Sequence, residues 1–165
     1  MTDDNKTTVF KQPDLLLEKF TLGCPGELDL AAIERAESIV TDMTGSYLGW
    51  AEDDLFKINK VQEEFKDHLD QSAMYLDKIY KIAHDMKGQG GSFGYDLMTV
   101  LGNDLCRFIE GKKTARKVDL EVINLYIAAM QVILSKRMRG GGGAEGQKVL
   151  VGLAAVVERI TAGTP

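Results

Sequence analysis

Ala83-His84-Asp85-Met86-Lys87-Gly88-Gln89-Gly90-Gly91-Ser92-Phe93-Gly94 is the stretch that decides how this chain is read. It begins inside a helical pattern, because Leu76, Ile79, Ala83 and Met86 recur at the spacing of one helix face. Glycine in a helix costs about 0.5–1 kcal/mol relative to alanine, and one glycine is enough to stop a helix. Here several are spent while the pattern is still helical. On a wheel of about 100° per residue, His84 falls on the polar flank of the apolar arc, so its ring is expected to be accessible. Asp77, Lys81, Gly88 and, if the helix continues, Gly91 share its stripe, being three, four or seven residues away. An imidazole therefore stands beside backbone stripped of side chains, with Lys87 one turn further on.

Working outward, that segment closes a helix predicted over about 72–90. The next helix, about 94–110, carries Leu97, Leu101, Leu105, Phe108 and Ile109. A third, about 119–138, is apolar around much of its girth, from Leu120 through Ile127 to Leu134, which suits the middle of a bundle. The run Gly140-Gly141-Gly142-Gly143 then breaks the chain before a last helix over about 145–161. No Gly-Lys-Ser/Thr follows those glycines, so they read as a flexible interhelical turn and not as a phosphate-binding loop.

Upstream, Asp29 opens a helical pattern through Leu30, Ile33, Ile39, Val40 and Met43. Thr44-Gly45-Ser46 is expected to interrupt it, with Ser46 placed to cap a further helix through Leu48, Leu55, Ile58, Val61, Phe65 and Leu69. Residues 1–25 read as a polar tail with one apolar patch at Leu15-Leu16-Leu17 and Phe20, and residues 26–165 as a single helical domain. The only prolines are Pro13, Pro25 and Pro165, so nothing from 26 to 164 carries the strongest helix breaker. Short links between long helices imply antiparallel neighbours. The fold class is all-α, an antiparallel up-and-down bundle.

Composition narrows the function. Twenty Lys and Arg against 25 Asp and Glu give a net charge of −5. A nucleic-acid partner needs a basic surface, and the one basic cluster, from Lys112 to Lys117, reads as a solvated loop. The start, MTDDNKTTVF, does not resemble a secretory signal, and no apolar run is expected to cross a bilayer. Cys24 and Cys106 are too few and too far apart for a disulfide framework or a metal site. A cytoplasmic protein is expected, with no nucleic-acid or membrane partner and no metal of its own.

A neutral imidazole is a competent nucleophile near neutral pH, and a phosphoryl group attached to it is readily passed on. Lys87 supplies a mobile charge for phosphate oxygens, and glycines let a partner's active site come close. The same residues admit a plainer account. An isolated histidine on a helix flank is commonly just solvated, and Gly88 could cap a helix that ends there.

The sequence His84-Asp85-Met86-Lys87-Gly88, followed by Gly91-Ser92-Phe93-Gly94, resembles the motif of histidine-containing phosphotransfer (HPt) domains. That motif reads His-x-x-Lys-Gly and then a small or glycine-rich turn into the next helix. Specific residues cover only about 83–105. The resemblance implies an antiparallel four-helix bundle core built from the helices after 72 plus neighbouring N-terminal helices. It further implies that His84 accepts a phosphoryl group from an aspartate of one response-regulator receiver domain and passes it to another. Lys87 would then steady the phosphate, and Gly88, Gly91 and Lys81 would face the receiver or a hybrid histidine kinase. The chain would need no cofactor of its own, since magnesium sits in the receiver's acidic pocket, and a monomer is expected.

One departure is evident. Many such domains place a polar side chain, often glutamine, on the following helix to hydrogen-bond the ring, whereas counting without gaps puts Cys106 near that level. A thiol is a poor substitute, so the sequence names no group that orients the imidazole. His68, the other histidine, reads as solvated among Glu63, Glu64, Lys66 and Asp67.

Two rival readings are the phosphoacceptor half of a sensor kinase and a binding module whose histidine is incidental. The first lacks residues for an ATP-binding domain and shows no nucleotide boxes, so no kinase activity of its own is expected. The Met1 start and polar tail also argue against a segment cut from a larger kinase.

Overall fold

The structure is a computed structural model and describes residues 30–163; the expected polar tail, its Leu15–Phe20 patch and Cys24 lie outside the described residues. The described residues form α1 (Leu30–Lys66), a 3-10 turn (Leu69–Gln71), α2 (Ser72–Ser92), α3 (Asp96–Ile109), α4 (Lys117–Ser135) and α5 (Gly143–Ala162), with no strand among them. The all-α expectation holds. The chain divides into two compact units, Met1–Ser38 and Ile39–Pro165, with the division inside α1.

The expected break at Thr44-Gly45-Ser46 does not occur, and α1 runs through it. Two exposed glycines, Gly45 and Gly49, cost about 1 kcal/mol each. Against that, Tyr47, Ala51, Leu55, Ile58 and Phe65 continue one apolar stripe and are all buried. Burying side chains the size of Leu55, Ile58 and Phe65 contributes about 1.5–3 kcal/mol apiece, so the stripe outweighs the local penalty.

Side-chain contacts set the directions within the second unit. Phe65 stacks on Tyr75 with centroids 5.1 Å apart, and Tyr47 on Phe93 at 5.0 Å, so α2 runs back along α1. On α3, Thr99 donates to the Lys87 carbonyl at 3.0 Å and Cys106 lies against the Tyr80 carbonyl, which makes α2 and α3 antiparallel. One cleft joins Gln62 and Lys66 to Lys117 and Leu120, and another joins Leu55 to Leu134, so α4 is antiparallel to α1. The core draws Leu76, Ile79, Ala83 and Met86 from α2, Leu97, Met98, Leu101 and Leu105 from α3, and Ile123, Ile127, Met130 and Ile133 from α4. Helix α5 is peripheral. Its Val149, Leu150 and Leu153 are only half-buried, and Val151 is exposed.

The expectation about apolar runs needs one correction, because α4 is long and apolar enough, by length and composition, to cross a membrane. Its girth has another explanation in this fold. Leu120, Val122, Ile123, Ile127, Met130, Ile133 and Leu134 are buried among the other helices.

The four-glycine turn is conformationally determined rather than merely loose. Gly140, Gly142 and Gly143 have φ of 56°, 64° and 59°, a region that glycine enters without a steric penalty. The Gly140 N–H donates to the Gly94 carbonyl at 2.7 Å, tying this turn to the one that follows α2. A Cβ on Gly142 would come within 2.5 Å of Leu97 Cδ1.

Candidate functional site around His84

Helix α2 continues through Gly88, Gly90 and Gly91 to Ser92, so Gly88 is not a cap. The reason lies in the opposite helix. A Cβ on Gly90 would sit 2.9 Å from Met98 Cβ and 3.0 Å from the Thr99 nitrogen, and one on Gly102 would sit 2.9 Å from Lys87 Cβ and 3.0 Å from the Ala83 carbonyl. Two glycines, one per helix, therefore let α2 and α3 pack backbone against side chain directly beneath the His84 turn. Gly102 escaped the sequence reading; its signal was a glycine inside an otherwise apolar helical pattern.

Of the residues singled out from sequence, His84 stands outward, with its side chain 59% exposed. Gly88 is exposed, and a Cβ there would meet nothing within 4 Å. The accessible ring and the bare patch one turn along are thus on the same helix face. Lys87 is half-buried, its backbone held by Thr99 and its Cβ against Gly102. Gly91 is exposed but leans toward α3, since its Cβ would lie 3.3 Å from Thr99 Oγ1. Lys81 pairs with Asp77 at 2.6 Å on the exposed surface.

Cys106 is buried, and its Sγ lies 3.8 Å from the Tyr80 carbonyl, one turn before His84. Burial raises its pKa above the usual thiol value, with the Lys87 charge offsetting part of that. The imidazole's neighbours are instead Tyr80, whose ring stacks on it at 6.0 Å and 23°, and Asp85, whose Oδ1 is 4.0 Å from Nδ1. Neither was singled out from sequence. Aromatic–histidine spacing of four residues on one helix was the available signal.

His68 is exposed, as expected, but not free: Nδ1 is 2.8 Å from the Glu64 carbonyl and the ring lies 5.9 Å from Tyr75. The basic cluster is more than a solvated loop. Asp119, buried at the start of α4, accepts from the Arg116 amide at 2.8 Å and from Lys112 Nζ at 3.0 Å. Burial raises the Asp119 pKa, but these donors outweigh it and leave the carboxyl below its ordinary value. Among the described residues no group of three or more His, Cys, Asp or Glu could hold a metal ion.

No family model, curated protein or solved structure matches the chain.

Proposed function

We propose that this chain is a cytoplasmic phosphocarrier of the HPt type, in which His84 receives a phosphoryl group from a receiver-domain aspartate and delivers it to another. The observation that carries this reading is the exposed imidazole of His84 on an unbroken helix, one turn from open space at Gly88. Transfer of this kind depends mainly on positioning and charge, and the receiver brings the magnesium and most donors. Lys87 adds one cation on the carrier's side. In this reading α1 to α4 make the four-helix bundle and α5 flanks it.

A transfer assay against a panel of phosphorylated receivers tests the proposal. The expected product is an acid-labile, base-stable label on the full chain, absent from His84→Gln. A label that survives in His84→Gln, or maps to His68, overturns it. ATP and magnesium alone should leave the protein unlabelled, and stoichiometric autophosphorylation in a kinase-free preparation would establish the sensor-kinase alternative.

A further inference from the structure

We infer that Tyr80 and Asp85 are positioning residues that hold the His84 ring with Nε2 as its free nucleophile. This rests on the phosphotransfer reading for its consequence, although the ring geometry is testable without it.

The imidazole has two defined neighbours among the described residues. The Tyr80 ring covers one face at 6.0 Å, nearly parallel at 23°. Tyr80 sits one turn earlier on α2 and is half-buried, with its own carbonyl held by Cys106 from α3 at 3.8 Å. Its ring is therefore the less accessible of the two, since the His84 side chain is 59% exposed. Stacking on that ring restricts the rotations that would otherwise sweep both nitrogens through solvent.

Asp85 then distinguishes the nitrogens. Its Oδ1 is 4.0 Å from Nδ1, on the exposed surface. A carboxylate beside Nδ1 favours the tautomer with the proton there, which leaves the lone pair on Nε2. In transfer, that lone pair forms the N–P bond as the O–P bond of the aspartyl phosphate breaks, its electron pair leaving on the receiver's carboxylate. The proton stays on Nδ1, so the ring becomes cationic, and Asp85 faces the charge as it forms.

Nitrogen-15 NMR of the full chain labelled at histidine, combined with phosphoramidate labelling, tests this. The neutral His84 ring should show Nδ1–H enriched over Nε2–H, and Asp85→Asn should lower that ratio, because the carboxylate favours the tautomer whose N–H dipole points toward it. Phosphoramidate should label wild type and Tyr80→Phe at Nε2 alone, while Tyr80→Leu labels both nitrogens. A Tyr80→Leu protein with native circular dichroism and Nε2-only labelling overturns the role of Tyr80. An unchanged tautomer ratio in Asp85→Asn overturns that of Asp85. If these selectivities appear but no receiver transfers to His84, the positioning stands and the phosphotransfer proposal falls.

Discussion

Replacing His84 by glutamine removes a ring that is 59% exposed and lies outside the core, so the helical circular-dichroism signal and thermal midpoint should stay near wild type while phosphoryl acceptance is lost. Lys87→Ala should act differently. The side chain is half-buried against Gly102, and in the proposed transfer its charge would only assist the receiver's own donors. Transfer should slow several-fold without being abolished, and more at low salt than at physiological salt. Identical rates at both salt concentrations would show that the ammonium does not reach the phosphate. The exposure of His84 was legible in the sequence because a polar residue displaced from a regular apolar stripe announces it, whereas the half-burial of Lys87 was not. Tyr80 and Asp85 were not, because each is unremarkable at its own position and acquires a role only through the ring it touches. Cys106 fell at the level the motif suggests, yet its thiol faces the Tyr80 carbonyl.

Between α2 and α3 the glycines fall into two kinds, and the distinction predicts opposite signs. Gly102→Ala forces a methyl group to within 2.9 Å of Lys87 Cβ and 3.0 Å of the Ala83 carbonyl, and backbone cannot swing aside. It should destabilise the protein by about 1–3 kcal/mol, measured as a lower urea midpoint. Gly88→Ala places its methyl in open space on helical backbone and should stabilise by about 0.4–1 kcal/mol. Gly88→Leu should keep a midpoint at or above wild type yet strongly depress receiver-dependent transfer, while phosphoramidate still labels His84. Normal transfer by that folded variant would remove Gly88 from the docking surface. The positions of α2 to α5 were readable to within a few residues because their apolar periods are long and regular. The length of α1 was not, since Thr44-Gly45-Ser46 has the local chemistry of a boundary. Only the burial of Tyr47 and Ala51 shows why the helix carries through.

For the whole molecule, acid stability should pass through Asp119. Its carboxyl lies below its ordinary value in the folded protein, so it contributes stability that is present above the ordinary carboxylate value and lost as pH falls through the lowered one. Asp119→Asn should lower stability near neutral pH by about 1–3 kcal/mol, with the gap to wild type closing in acid. A gap independent of pH would mean that packing, not charge, is what Asp119 supplies. The basic cluster that reads as mere solvated loop in sequence is part of this device, because its partner lies beyond the cluster's own end and only folding brings Lys112 to it. The bond between the Gly140 amide and the Gly94 carbonyl, at 2.7 Å, ties the last interhelical turn to the end of α2. A glycine in an interhelical turn normally trades its amide hydrogen for deuterium quickly, but this one is clamped to the loop that ends α2. Its exchange rate therefore reports on the clamp: the peripheral α5 should open often by partial unfolding, and the Gly140 amide should either outlast those openings or exchange in step with them. The outcome would show whether the last helix peels away together with the turn that follows α2 or leaves that turn closed behind it.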